Sequence, residues 1–290
     1  MRARAFKSRS RASRRSNGGA GHVAEVIDVI SVSKNGVSFF QFENLQKYPT
    51  IRHGIFTRHV GHSTGDFQSL NVSLDLGDAA EHVRKNRNLV SQVIEGRDLV
   101  FVKQVHGDQV VILNPKNIDS YGGNHQALGT GDAIVTNVSG KFLTTQLADC
   151  QSILLYDPIR HVVANVHSGW RGSIKNILGR TLAVLKKYFK CHSADIIAGI
   201  GPSLGPCCAE FVNYRKEIPQ IFWRYKLADD HFDFWTLSRD QLTHAGVPGE
   251  NVEIGRICTK CNTETFFSYR GEGRTGRFAA VIGLNRTACV

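Results

Sequence analysis

The 290-residue sequence predicts a single domain of the α/β (α+β) class, and three observations lead to this prediction. Strand-like apolar runs outnumber helical patterns, two stretches show helical periodicity, and no Pro- or Ser-rich linker interrupts the chain after its N-terminal tail. Strands mixed with a few long helices are typical of layered folds. We therefore expect one domain over residues 24–290, preceded by a disordered basic tail at residues 1–23.

Ten runs have the apolar composition of buried strands. They cover residues 26–32, 37–42, 99–105, 109–113, 132–136, 141–147, 152–156, 161–166, 195–200 and 277–284.

Two other stretches have the 3.6-residue apolar period of amphipathic helices. The first is expected to begin near Asp78 as its N-cap, and the second near Ser173. The inward-facing residues are Val83, Val90, Val93 and Ile94 in the first, and Ile174, Ile177, Leu178, Thr181, Leu182 and Leu185 in the second. A single apolar stripe on each predicts that both helices pack against a sheet.

The net charge of +11 belongs mainly to the tail, because seven basic residues lie within the first fifteen positions. The remainder carries +4, which gives no electrostatic reason to expect nucleic-acid binding. The Arg/Ser-rich, acid-poor tail leaves open a disordered extension, an over-extended start or a targeting peptide. No apolar stretch has the length of a membrane span, and seven scattered cysteines favour a reducing, cytoplasmic setting.

Three reactive side chains, those of His106, Cys150 and His167, each follow or end an apolar run. Singly, each is more often a buried structural residue than a functional one. As a set, two histidines and a thiolate are the ligands of a tetrahedral zinc site with an open fourth position, as in catalytic zinc enzymes. Their sequence separations of 44 and 17 residues exclude a zinc-finger knuckle but allow assembly in space.

The segment SGWRG (168–172) leads into the second predicted helix and suggests an anion site. Backbone N–H groups at a helix N-terminus and the guanidinium of Arg171 would together hold a phosphate or carboxylate. The alternative is structural, with Trp170 in the core and Arg171 in a salt bridge.

Three other motifs carry less weight. CTKC (258–261) is half of a zinc knuckle without a partner pair in sequence, and Cys207 and Cys208 are expected to be loop or core residues. GEGRTG (271–276) lacks a following helix, so we expect a hairpin turn between two strands and not a dinucleotide site.

Several motifs together resemble the laccase-domain family, once labelled multicopper polyphenol oxidases and now understood as purine nucleoside phosphorylases. They are FTR (56–58), SLN (69–71), GD (77–78), NR (86–87), QVHG (104–107), ADC (148–150), HSGWRG (167–172), GPSLGPCC (201–208), CTKCN (258–262), FFSYR (266–270) and TGR (275–277). The match runs in order from about residue 53 to residue 284, which is more specific than any single motif.

The resemblance implies a four-layer α/β/β/α sandwich. It also implies phosphorolysis of adenosine, inosine, guanosine and methylthioadenosine, together with hydrolytic deamination of adenosine. The matching positions are His106, Cys150 and His167 as catalytic residues and zinc ligands, and Arg58, Asn71, Gln104 and Arg171 as substrate-binding residues. Phosphate, held by Arg171, would attack C1′ of the ribose while the purine leaves, and the metal would activate water for attack at C6 of adenine. Purine nucleosides and phosphate are thus the expected partners, without nucleic acid or membrane.

Two departures from the family affect these expectations. The family's GGVS-like turn is replaced by HVGHSTGDF, so we expect the loop with His59 and His62 to influence substrate choice. Gln151 stands where many relatives have proline after ADC, which leaves the cysteine intact. Asp149 is either a proton carrier, a residue supporting the metal ligands, or a strand-end cap.

Three alternatives from other classes stay open at this point. Two histidines and a cysteine are also blue-copper ligands, so a copper-dependent polyphenol oxidase is one of them. However, the only methionine is Met1, and the sequence has no His-x-His pair. A metal-free Cys–His hydrolase or deamidase would use the same thiolate, and a non-catalytic binding module would use none of the three side chains.

Overall fold

Two stacked sheets, with helices on their outer faces, make up the computed structural model, which describes residues 29–96, 98–115 and 127–286. The strands are β1 (Val29–Lys34), β2 (Val37–Phe42), β3 (Ile51–Phe56), β4 (Asp98–Lys103), β5 (Val110–Leu113), β6 (Ala127–Thr130), β7 (Ala133–Thr136), β8 (Lys141–Leu147), β9 (Gln151–Asp157), β10 (Val162–Ser168), β11 (Ile197–Ile200), β12 (Val252–Ile254) and β13 (Phe278–Leu284). The helices are α1 (Glu43–Gln46), α2 (Ala80–Ile94), α3 (Trp170–Ile174), α4 (Ile177–Phe189), α5 (Tyr214–Glu217), α6 (Phe234–His244) and α7 (Tyr269–Glu272). The predicted tail at 1–23 lies outside the described residues, so that prediction stands untested.

Both sheets are mixed. The first has the order β1-β2-β3-β13-β8-β4-β6, and the second has the order β12-β11-β9-β10-β7-β5. Helix α2 packs on the first sheet, whereas α4 and α6 pack on the second. This arrangement confirms the expected α/β class and its four layers. No helix in the described part of the chain is long and apolar enough to cross a bilayer.

One hydrophobic core lies between the sheets, where Leu143 and Ile282 of the first sheet join Leu154 and Val163 of the second. All four are completely buried, and removing a side chain of this size from a core costs about 2–5 kcal/mol. Asn165 is a buried polar residue at this interface, and its amide Nδ2 donates to the carbonyls of Leu143 and Ala280 at 2.9 and 2.8 Å. These bonds run from β10 to β8 and β13 and therefore fix how the two sheets are stacked.

The amphipathic periodicity identified α2 and α4 correctly. Val83, Val90, Val93 and Ile94 are buried in α2, which begins two residues after Asp78, with Ala79 as N-cap. The predicted start of the second helix near Ser173 is wrong, because Asn176 has a left-handed backbone (φ 56°) and its side chain accepts from Gly179 N–H. The chain forms a short α3 first, and the apolar stripe continues in α4 without Ile174.

The predicted strands are found wherever they fall within the described residues; residues 26–28 lie outside them. Three strands escaped prediction. β3 contains Arg52 and His53, β6 is half-exposed, and β12 has only three residues. The hairpin expected at residues 271–276 is also wrong: FFSYR forms no strand, and the chain passes through α7 and Gly273 (φ 71°) before β13.

Candidate metal centre and active-site cavity

His106, Cys150 and His167 meet at one end of the two sheets. His106 follows β4 of the first sheet, Cys150 lies in the connection from β8 to β9, and His167 lies in β10 of the second sheet. Their ligand atoms all lie within 4.8 Å of one another, and the two imidazole ring centroids are 4.9 Å apart. The structure thus assembles the three residues that the sequence proposed as a set.

Asp132, at the start of β7, orients both histidines. Its carboxylate accepts from His167 Nδ1 at 2.8 Å and from the backbone N–H groups of His106 and Gly107 at 2.9 and 2.7 Å. Its backbone oxygen also accepts from the N–H of His167 at 2.7 Å. Burial raises the pKa of Asp132, but the hydrogen bonds from His167 and Gly107 outweigh it, so the pKa is lowered overall. The residue is completely buried and ionised, and it leaves Nε2 of His167 to face the cluster.

The electrostatics of the cluster favour the thiolate. Burial raises the pKa of the Cys150 thiol, yet the charge of His167 and the hydrogen bonds from His106 and His167 lower it to about 6. Burial likewise lowers the pKa of His167, whereas Cys150 and Asp132 raise it to about 9. Both metal binding and nucleophilic attack need a deprotonated sulfur. Because the neighbouring histidines favour the thiolate, Cys150 is suited to either role.

Gly169 is required by the close approach of the chain to this cluster. A Cβ atom on Gly169 would lie 2.9 Å from Sγ of Cys150 and 3.0 Å from Cδ2 of His106. Any other residue would therefore displace two of the three ligands. Two imidazoles, one thiolate and a carboxylate bonded to the far side of one imidazole are a donor set that fits a single divalent transition metal.

A cavity of about 1020 Å³ opens onto the His106–Cys150–His167 cluster, and its volume is sufficient for a nucleoside. Its basic lining residues are Arg87, Lys103, Arg171, Arg270 and Arg277, and its aromatic ones are Phe101, Trp170, Phe211, Phe234 and Tyr269. The combination of guanidinium groups and flat aromatic surfaces suits an anionic ligand together with a ring system.

Two of the four predicted substrate-binding residues line this cavity. Gln104 exchanges two hydrogen bonds with the backbone of Gln146, at 2.8 and 3.0 Å, and Arg171 lies 4.3 Å over the Trp170 ring. Trp170 itself is only half-buried and packs edge-on against Phe211. Helix α3 has five residues, so an anion at Arg171 depends on the guanidinium and not on a long helix.

Arg58 and Asn71 are not among the residues that line the cavity. Arg58 bonds to Glu272 at 2.7 Å and stacks on the ring of Phe267 at 4.4 Å. Asn71 accepts from the backbone N–H of Arg277 at 2.9 Å. Both residues support the segment that carries Arg277.

Asp149 precedes Cys150 with a left-handed backbone (φ 85°), and its carboxylate is fully engaged. It accepts from the hydroxyl groups of Thr259 and Ser268 at 2.7 and 2.6 Å and from the N–H of Arg270 at 2.6 Å. Of the roles left open by the sequence, these contacts support positioning of the cysteine. Asp149 fixes the turn that presents Cys150 to the cavity.

Sequence reasoning gave no role to Asp132, Arg87, Arg270 or Arg277. The three arginines end the NR, SYR and TGR motifs, so the resemblance carried a signal for each. Asp132 begins a predicted strand, and nothing in its local sequence showed that its carboxylate reaches the loop of His106.

The comparisons with known proteins agree with one another. The family described as "Multi-copper polyphenol oxidoreductase laccase" matches residues 52–285. A protein named purine nucleoside phosphorylase from Bacteroides thetaiotaomicron is 32% identical over 89% of this chain and 100% of its own length. The purine nucleoside phosphorylase YfiH of Escherichia coli is 31% identical over 79% of this chain and 91% of its own.

Solved structures show the same architecture. The structure of the hypothetical protein YfiH from Bacillus licheniformis has a TM-score of 0.78 at 29% identity, covering 87% of this chain and 100% of its own. YlmD from Geobacillus stearothermophilus also has a TM-score of 0.78, at 28% identity, covering 88% of this chain and 99% of its own. On the matched sequence and the shared fold, the chain belongs to the multicopper polyphenol oxidoreductase laccase family, whose curated relatives are named purine nucleoside phosphorylases.

Proposed function

We propose that the chain is a zinc-dependent purine nucleoside phosphorylase that also deaminates adenosine. Its proposed substrates are adenosine, inosine, guanosine and methylthioadenosine, with inorganic phosphate as the second substrate. The observation that carries the proposal is one cavity that joins the His106–Cys150–His167 cluster to several guanidinium groups. The names of the relatives supply the reaction class.

Phosphate binding is assigned to Arg171, Arg270 and Arg277. Nη1 of Arg270 donates to the carbonyl of Glu210 at 2.9 Å, and Nη1 of Arg277 donates to that of Gly276 at 2.8 Å. A guanidinium has five N–H donors, so each side chain is held in place and keeps donors for a phosphate.

The nucleoside lies next to this phosphate in the proposed complex. The ring faces and edges of Trp170, Phe211 and Phe234 can contact the purine. Contacts of this kind are available to every purine base among the proposed substrates. An oxygen of phosphate attacks C1′, the bond from C1′ to the purine nitrogen breaks, and ribose 1-phosphate and the free base form. The arginines hold the attacking anion in line, which lowers the entropic part of the barrier.

The metal ligands are His106, Cys150 and His167. A zinc ion held there would act as a Lewis acid and would lower the pKa of a water molecule toward ~7, which is the chemistry that deamination at C6 of adenine needs. Asp132 keeps His167 in the tautomer that presents Nε2. Asp149 positions Cys150 by fixing the turn before it. Arg58 and Asn71 position Arg277 by holding the segment that carries it.

Zinc is favoured over copper by the ligands that the described residues bring together. The described residues contain two groups of three or more side chains that could ligate a metal, and only one of these groups contains histidine. A multicopper cluster needs many more histidines than the two present here. The alternative metal-free hydrolase uses the same thiolate, so metal content separates it from the proposal.

The activity is tested by incubating the purified protein with adenosine, with and without phosphate, and identifying the products. We expect adenine and ribose 1-phosphate only when phosphate is present, and inosine in both cases. Cys191→Ala is the control variant, because this cysteine is buried outside the cavity. Release of free ribose in the absence of phosphate would instead indicate a hydrolase.

Replacing one ligand tests the metal assignment. Cys150→Ala leaves two imidazoles, an incomplete set, so we expect this site to lose most of its zinc and both activities to fall. Elemental analysis of Cys150→Ala beside Cys191→Ala measures the loss. Equal zinc contents in the two variants would contradict ligation by Cys150.

A further inference from the structure

Two loops bring four cysteines together. They are Cys207 and Cys208, in the loop after β11, and Cys258 and Cys261, in the loop after β12; we call them the four-cysteine cluster. Their sulfur atoms all lie within 4.8 Å of one another. No second CxxC or HxxxH pair follows CTKC in the sequence, and the structure instead places the adjacent pair Cys207 and Cys208 beside it.

The sulfur spacing matches a metal site and not a disulfide. Sγ of Cys261 lies 3.6 Å from Sγ of Cys207 and 3.4 Å from Sγ of Cys208. Four sulfurs at about 2.3 Å around a tetrahedral zinc ion are roughly 3.8 Å apart, whereas a disulfide bond measures about 2.05 Å. Four sulfurs also complete the tetrahedral coordination of one zinc ion, whereas a disulfide bond would use only two of them.

Backbone hydrogen bonds connect the two loops directly. Ser203 pairs with Cys258 in a parallel β-bridge, with the Ser203 N–H donating to the Ile257 carbonyl at 3.1 Å. The sulfur of Cys258, the most buried of the four, accepts from the backbone N–H groups of Gly205 and Cys261. Such N–H donors stabilise the negative charge of a ligating thiolate.

Both loops contact residues that line the cavity. Thr259, next to Cys258, donates its hydroxyl to Asp149, and the N–H of Leu204 donates to the backbone oxygen of Asp149 at 2.8 Å. Nη1 of Arg270 reaches the carbonyl of Cys208 at 3.4 Å. A link between the loops would thus stabilise the turn before Cys150 and the position of Arg270.

We propose that the four-cysteine cluster binds a second, structural zinc ion that joins the loops after β11 and β12. Each thiol that becomes a ligand releases its proton to solvent, and no electron transfer is involved. Because all four positions are taken by sulfur, the site is closed to water and substrate and has no part in the chemical step. This proposal is independent of the one for the active site, because the two sites share no ligand.

Zinc counting on the full chain tests the proposal. We expect about two zinc ions per chain in the parent, about one in Cys207→Ser/Cys261→Ser and about one in Cys150→Ala. Combining the three substitutions should remove both ions, and Cys191→Ala should keep both. If the active-site assignment fails, the parent and Cys150→Ala should contain equal amounts of zinc, while Cys207→Ser/Cys261→Ser should still contain about one ion fewer than the parent. A cluster variant that binds as much zinc as the parent would overturn the four-cysteine proposal.

A second measurement uses the parent protein and so does not depend on the variants folding. Alkylation without reductant, read by peptide mass spectrometry, should be slow at the four cluster cysteines and become fast after zinc is chelated. The buried Cys191 should react equally slowly before and after chelation. Disulfide-linked peptides containing these cysteines, or equally fast alkylation before and after chelation, would contradict the proposal.

Discussion

A single buried carboxylate, that of Asp132, links the loop of His106 to the strand of His167. Four donors lie within hydrogen-bond distance of it, and three of them are backbone N–H groups in the segment 105–107. The loop therefore folds around the carboxylate, and the left-handed backbone of His106 (φ 57°) is held by these bonds. Both histidines therefore depend on one residue that is not itself a member of the His106–Cys150–His167 cluster.

Asp132→Asn should weaken metal binding without emptying the site. The amide keeps the size of the side chain but loses the charge and one acceptor, and changes of this kind typically cost 10- to 100-fold in metal affinity. Competition with a chelator measures the affinity. The control is Asp157→Asn, because Asp157 is equally buried and caps a turn at the far end of β9. Equal zinc affinities in the two variants would contradict the positioning role of Asp132.

Arg171→Ala should impair phosphorolysis more than deamination. The substitution removes a charge-assisted contact of ~1.5–3 kcal/mol, or about 10- to 150-fold, from the step that uses phosphate. The ratio of ribose 1-phosphate to inosine formed from adenosine measures the difference. Arg180→Ala is the control, since Arg180 is exposed on α4 and pairs with Asp108. An unchanged ratio with both activities intact would mean that phosphate binds elsewhere.

At this scale, residue chemistry predicted which three side chains form the cluster but not the residues that support it. His106, Cys150 and His167 were recognisable because a set of two imidazoles and one thiolate has a known use. The role of Asp132 depends on β7 lying beside β10, and that of Arg277 depends on β13 lying beside β8. No local pattern contains this information.

At the scale of elements, Gln151 connects the strand after Cys150 to helix α6. Its Nε2 donates to the carbonyl of Phe234 at 2.9 Å, and its Oε1 accepts from the hydroxyl of Ser238. Phe234 lines the cavity, so this pair of bonds holds an aromatic part of the cavity wall against the strand that follows Cys150. A proline at position 151 would lack both bonds.

A double-mutant cycle measures this connection. Gln151→Ala and Ser238→Ala should each cost about 1–3 kcal/mol of unfolding free energy, because each leaves a buried polar group without its partner. The double variant should lose less than the sum, since the shared bond is removed only once. Additivity within ~0.3–0.5 kcal/mol would show that the two side chains act independently.

The apolar periodicity of the sequence predicted that helices α2 and α4 exist more accurately than it predicted the residues at which they begin. The stripe of α4 was visible because five of its residues pack on the second sheet. The break at Asn176 was not, because asparagine is compatible both with a helix interior and with a left-handed N-cap. The short strand β12 was missed because it is stabilised by its pairing with β11 and not by its own composition.

For the whole molecule, the N-terminal tail is expected to be dispensable. Residues 1–23 carry seven basic residues and no acidic ones, so their removal lowers the net charge from +11 to +4. A segment with so few apolar side chains contributes little hydrophobic stabilisation. Deletion should leave the melting temperature and turnover unchanged and should reduce retention on a cation-exchange column. A fall of several degrees in melting temperature would show that the tail packs on the domain.

Because His106 follows a strand of the first sheet and His167 lies in the second, a metal bound by both would also affect how the protein resists opening. A zinc ion bound by His106, Cys150 and His167 would act as a clamp across the interior, because separating the sheets would break its coordination. Free metal at a hundred times its dissociation constant would add about 2.7 kcal/mol to the cost of that separation. Chains synthesised when zinc is scarce would exchange their amide hydrogens faster in β8, β9 and β10 and would be cut sooner by proteases. The supply of metal would thereby control the lifetime of the polypeptide as well as its activity.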